Sequence, residues 1–137
     1  MSRDTTASAI DILARLVAFD TTSHKSNRAL VGYVADYLSD HGVESHLVPT
    51  EDGEKASLFA TVGPEDVPGI GLSGHTDVVP ADAATWTSDP FTLREADGRL
   101  FGRGTADMKG YLACVLATVP EFKRRALMLI KAPYAGR

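Results

Sequence analysis

The feature that most constrains this chain is a short, apolar, glycine-rich stretch at residues 69–74 that runs straight into His75-Thr-Asp77. Such a stretch suits a strand buried on both faces, although glycine weakens strands. It would deliver His75 and Asp77 at its exposed end. The two are two residues apart, so both side chains leave an extended backbone on one face. About thirty residues on, Gly102-Arg-Gly-Thr-Ala-Asp-Met-Lys-Gly110 reads as a glycine-loosened loop. It presents Asp107 at the start of an apolar-faced helix, where free N–H groups and the helix dipole favour a carboxylate.

The segments around these two stretches supply layers for a core. Ser8 reads as a helix cap, with Ile10, Leu13, Leu16 and Val17 following at helical spacing to about Phe19. A second helix is predicted over residues 27–41, with Leu30, Val31, Val34, Tyr37 and Leu38 on one face and Gly42 as its stop. Residues 43–49 and 56–62 are strand candidates about an Asp52-Gly53 turn. A long polar connection from Thr76 to about Leu100 carries a minor hairpin at Asp97-Gly98. Loops of that length usually serve a site. The best helix signal covers residues 108–119, ended by Pro120, and residues 126–130 read as a last strand. Helices, strands, a helix and a strand in this order predict an α/β sandwich with a largely parallel central sheet.

A length of 137 residues is one domain's worth and short for a two-domain enzyme. Residues 1–120 hold nine Lys and Arg against seventeen Asp and Glu, whereas residues 121–137 hold five against one. The acidic body argues against a nucleic-acid partner, and the basic tail reads as a solvated end. The first nine residues lack a basic start followed by an apolar core, no apolar run approaches a membrane span, and Cys114 stands alone. The expectation is a cytoplasmic protein with no membrane partner.

Imidazole and carboxylates brought together at element ends suit a metal site, but spacing alone leaves alternatives. Both His75 and Asp77 bind metal, or the histidine binds while the carboxylate orients it, or the two form a structural pair. Asp107 alone reads equally as a helix cap. The glycines of residues 102–110 fit neither a dinucleotide fingerprint nor a P-loop.

Taken in order, Ser-Gly-His-Thr-Asp-Val-Val-Pro80, Trp86-Thr-Ser-Asp-Pro-Phe91, Asp97-Gly98 and Gly102–Gly110 resemble the co-catalytic zinc family of aminoacylases and related peptidases. Within that family the pattern looks most like the acetylornithine deacetylase branch, with succinyl-diaminopimelate desuccinylases near it. The resemblance covers about residues 8–120. It implies an incomplete three-layer α/β/α zinc-hydrolase catalytic domain. It makes His75 and Asp107 metal ligands, the latter bridging two ions, and Asp77 the catalytic residue that orients the histidine. Zn²⁺ or Co²⁺ suits those donors. The implied reaction is hydrolysis of N-acetyl-L-ornithine to L-ornithine and acetate, a step of arginine biosynthesis, on a small N-acyl amino acid substrate. A homodimer is implied for full-length members.

The resemblance also implies a Glu-Glu pair after the strand that follows Asp107. Here residues 126–130 continue into Lys131-Ala-Pro-Tyr-Ala-Gly-Arg137 without an acid, and Glu121, just past Pro120, is a poor substitute. The expectation is therefore an N-terminal portion of the catalytic domain, without the lid and dimerisation domain, weak in metal binding and in turnover. A different reading is a non-catalytic fragment that associates with another chain through its unfinished sheet. His24, His41 and His46 read as surface or packing residues, Cys114 as core, Trp86 and Phe91 as loop packing, and Arg103 as an exposed loop charge.

Overall fold

A computed structural model of the chain describes residues 3–131. Three helices form its body: α1 (Arg3–Ala18), α2 (Arg28–Asp40) and α3 (Gly110–Lys131). Between them lie two hairpins, β1 (Ser45–Pro49) with β2 (Ala56–Ala60), and β3 (Arg94–Ala96) with β4 (Arg99–Phe101). Ala9, Ile12, Leu13, Leu16 and Val17 of α1 are buried in one cluster with Ala113, Leu116, Ala117 and Val119 of α3. Alanines at the contact let the two helix backbones approach closely. Leu30, Leu38 and Val43 join this cluster from α2 and the segment after it.

Local chemistry sets the ends of α2. Gly42 has φ +68, its N–H donates to Ser39 O at 2.8 Å, and the N–H of Val43 donates to Leu38 O at 2.9 Å. This is the left-handed glycine stop expected from the sequence, with buried Leu38 and Val43 bracketing the turn. At the other end, Asn27 makes no side-chain cap. Its amide instead exchanges two 2.9 Å hydrogen bonds with the backbone of Ala56, tying α2 to the start of β2.

Both hairpins form where their turn residues predict them, Asp97 and Gly98 each taking positive φ. Helix α1, however, begins at Arg3, so Ser8 lies inside it and caps nothing.

Two strand expectations are corrected. Residues 69–74 form no strand: Ile70 is 91% and Leu72 54% exposed. The described residues contain only antiparallel ladders, and the one parallel pairing is an isolated bridge between Thr22 and Val78. An apolar strand forms only beside another strand, and none lies next to residues 69–74.

The expected last strand at residues 126–130 is instead the continuation of α3, which runs through Pro120 to Lys131. Proline removes the N–H that would bond the carbonyl four residues back, that of Leu116. The Tyr37 hydroxyl donates to that oxygen at 3.1 Å. Beyond the proline, Lys123 Nζ donates to Gly42 O at 2.6 Å, and Glu121 pairs with Arg124 and Arg125 along the helix. The expectation of an incomplete α/β domain holds, but the largely parallel central sheet is absent among the described residues, whose two sheets are both antiparallel.

Candidate metal site

The site lies where three connections meet: the Thr21–Ser23 turn after α1, residues 75–78, and the tight turn Thr105–Lys109 that opens α3. The turn after α1 holds residues 76–78 by backbone and hydroxyl together. Val78 N–H donates to Thr21 O at 3.1 Å, Ser23 N–H to Val78 O at 3.0 Å, and Thr21 Oγ1 to Thr76 O at 2.6 Å. Asn27 Nδ2 adds a 3.0 Å bond to Thr76 Oγ1. The backbone ahead of His75 has no ladder, but its own N–H donates to Met108 Sδ at 3.3 Å.

Gly104 starts the turn with φ +87, and a Cβ there would lie 2.8 Å from Val78 Cγ1, so this position requires glycine twice over. Asp107 and Met108 then leave helical geometry, with φ/ψ of −133/96 and −138/28, and the peptide between them is cis. Lys109 turns inward and is fully buried, its Nζ donating to Phe19 O at 2.7 Å, at the end of α1. Burial pushes its ammonium down to about 8, against the pull of nearby Asp20.

These connections bring all three sequence-predicted residues together. His75 Nε2 lies 2.9 Å from Asp107 Oδ1. On the other side of the ring, Nδ1 lies 3.0 Å from the Asp77 carbonyl and 3.2 Å from its Oδ1. Both ring nitrogens thus face oxygen acceptors, an arrangement that favours positive charge on or beside the ring. The hydrogen bond that Asp107 accepts from the ring, first of all, raises the imidazole above its ordinary range, with Asp77 adding to it. Asp77 is held low by the Ser23 hydroxyl, which donates to its Oδ2 at 2.9 Å, and by His75.

The donor set fits a divalent cation at Nε2. Asp77 accepts from Nδ1, so that Nε2, once it gives up the proton it shares with Asp107, would offer its lone pair to a cation beside the Asp107 carboxylate. Among the described residues no group of three or more His, Cys, Asp and Glu is arranged to hold a metal. Glu121 cannot join the site, because Arg124 and Arg125 engage its carboxylate about 16 Å along α3 from Gly110.

Sequence reasoning missed Ser23 and Lys109. Ser23 sits in a polar break between helices, 54 positions from Asp77, and nothing local signals the pairing. Nothing in the sequence marks Lys109 for burial, and only the fold reveals it. Of the remaining expectations, Cys114 is corrected: it is exposed, because α3 turns Ala113, Leu116 and Ala117 inward and leaves Cys114 beside an open groove with Ile10, Leu13 and Leu100. His41 packs on Tyr37 with ring centroids 4.4 Å apart, and His24 and His46 are exposed. The Arg103 guanidinium lies over the Trp86 ring at 5.2 Å and donates to Pro80 O, bracing the long loop from within.

The segment that carries the site, and the fold around it, resemble known proteins. Residues 71–130, which carry His75, Asp77 and Asp107, match the model of Peptidase family M20/M25/M40. The crystal structure of human carnosine dipeptidase 1 superposes with a TM-score of 0.72 at 26% identity, over 88% of this chain and 29% of that one.

Similar curated proteins include acetylornithine deacetylases. Acetylornithine deacetylase of Pasteurella multocida is 41% identical over 115 residues, which are 83% of this chain and 30% of that protein. Acetylornithine deacetylase of Edwardsiella ictaluri is 42% identical over 111 residues, 80% of this chain and 29% of that protein. The resemblance expected from the motifs therefore holds, and it is a resemblance to hydrolases. The chain spans about 30% of the length of the curated relatives it matches. No helix among the described residues is long and apolar enough to cross a membrane.

Proposed function

We propose that the chain is the N-terminal part of the catalytic domain of a metal-dependent amide hydrolase of the acetylornithine deacetylase type. In this reading the substrate is N-acetyl-L-ornithine, and water cleaves its amide to L-ornithine and acetate in a cytoplasmic step of arginine biosynthesis. One observation carries it: His75 Nε2 meets Asp107 Oδ1 at 2.9 Å while Asp77 backs the ring, within the segment that matches the family. His75 offers its Nε2 lone pair, Asp107 its carboxylate oxygens, and Asp77 holds the Nδ1 proton and so the ring's tautomer. Zn²⁺ or Co²⁺ held there would supply Lewis acidity toward water and the amide carbonyl. Two ligands are fewer than the three a catalytic zinc ordinarily takes, so by itself the chain is expected to turn over little. Desuccinylation of succinyl-diaminopimelate is the alternative within the class, since these residues would hold the metal and do not select the acyl group. A homodimer is the assembly proposed for the full-length protein.

The test compares deacetylation of N-acetyl-L-ornithine, with Zn²⁺ or Co²⁺, by the 137-residue chain and by the same chain joined to the C-terminal part of the Pasteurella relative. N-succinyl-diaminopimelate is assayed beside it. The expected result is that the joined chain is active on the acetyl substrate and that His75→Ala abolishes the activity. A joined chain inactive on both substrates, or a His75→Ala variant at full rate, overturns the proposal.

The exposure of Val67, Ile70 and Leu72 on a segment without a ladder favours a second reading, a non-catalytic fragment that associates with another chain. Sedimentation with a hydrophobic dye tests it: a monodisperse monomer that binds no dye counts against association.

A further inference from the structure

We propose that Ser23 is a positioning residue that fixes the carboxylate of Asp77 against His75, an inference that rests on the metal-site reading above. Its hydroxyl lies 2.9 Å from Asp77 Oδ2 and 3.2 Å from Val78 O, and a hydroxyl has one proton to give. Val78 O already accepts the Ser23 N–H at 3.0 Å, whereas a bond to a carboxylate is charge-assisted and stronger. The proton therefore goes to Asp77 Oδ2.

That bond leaves the other oxygen, Oδ1, 3.2 Å from His75 Nδ1, beside the Asp77 carbonyl that accepts from the same nitrogen at 3.0 Å. Ser23, Asp77, His75 and Asp107 thus form one line of contacts, from the turn after α1 to the turn before α3. The first member is itself held firmly. Ser23 N–H is engaged by Val78 O, and the Lys55 ammonium donates to Ser23 O. Asp77 is about half exposed, so without the hydroxyl its carboxylate would be free to rotate into water. Ser23 replaces that freedom with one rotamer, which keeps the negative charge of Oδ1 beside an imidazole whose Nδ1 is already bonded to the Asp77 carbonyl.

The experiment uses the 137-residue chain, first without metal. Side-chain three-bond couplings are expected to show a single Asp77 χ1 rotamer in the wild type and in Ser23→Thr, which keeps the hydroxyl. In Ser23→Ala the couplings are expected to average, with the backbone amide shifts of the helices unchanged. An Asp77 rotamer that stays fixed in Ser23→Ala overturns the proposal. Co²⁺ alone is then titrated. Ser23→Ala is expected to bind about ten-fold more weakly, with Ser23→Thr close to wild type. If His75→Ala binds Co²⁺ as the wild type does, or no form binds it, the metal-site reading falls, and the rotamer measurement still decides the role of Ser23. If His75→Ala weakens binding and Ser23→Ala does not, the role of Ser23 is overturned alone.

Discussion

The Tyr37 hydroxyl and the Leu116 carbonyl meet at 3.1 Å, at the one acceptor in α3 that Pro120 strips of its helical donor. Removing the hydroxyl leaves that part-buried oxygen without its partner. Tyr37→Phe is expected to lower stability by about 1–2 kcal/mol in urea denaturation. In a Pro120→Ala background, where the N–H returns, the same change is expected to cost less. Equal costs in both backgrounds would refute this account of how the helix passes the proline.

The His75–Asp107 contact predicts a pH dependence of the metal-free chain. The folded-state pKa of His75 is raised, chiefly by the Asp107 hydrogen bond. Its contribution to stability is therefore complete below the unfolded value, about 6.5, and is lost as pH rises through the higher folded value. Asp107→Asn is expected to remove this part of the thermal-stability profile. A profile unchanged by Asp107→Asn would show that the contact has no such weight.

Lys109 carries the opposite expectation on the alkaline side. Its folded pKa is pushed down to about 8 by burial, below the ordinary 10.5. Between those values the unfolded chain binds more protons, so stability rises with pH across the window. Lys109→Met, which keeps the unbranched apolar stem but not the ammonium, is expected to flatten that rise. A rise that persists in Lys109→Met would assign it to other groups.

Two glycines at the site differ in what stands opposite them. A Cβ at Gly74 would meet the side-chain tips of Leu112 and Met108, at 2.8 and 3.1 Å, and both can give way. At Gly110 a Cβ would overlap the backbone carbonyl of Thr105, which cannot move without the turn. Gly110→Ala is therefore expected to cost roughly 2–3 kcal/mol and Gly74→Ala less. Thermal melts of the two variants give the ranking, and the reverse order would contradict this geometry.

What the sequence disclosed was largely local. Gly42 and Asp97-Gly98 announced their turns because backbone handedness is a property of one or two residues, and the faces of the helices followed from spacing. The order of the motifs singled out His75, Asp77 and Asp107, and the fold places the three side chains in contact. Residues 69–74 misled because a strand is a relation between segments, and apolar glycine-rich composition says nothing of a neighbour's presence. Pro120 misled for a related reason: the donor that lets α3 continue, Tyr37, lies 79 positions from the carbonyl it satisfies. Ser23 and Lys109 were illegible because each acts on a residue more than fifty positions away.

The bridge between Thr22 and Val78 gives the site a mechanical character of its own. The segment bearing His75 and Asp77 is fastened to the helical body by a few hydrogen bonds to the turn after α1 and by the one buried side chain of Val78. Such a seam can unzip while the packed helices stay closed, as a sub-global opening. Hydrogen exchange at the Val78 amide therefore keeps time for the site: its protection measures how long His75 is presented to Asp107, on a clock separate from that of the core.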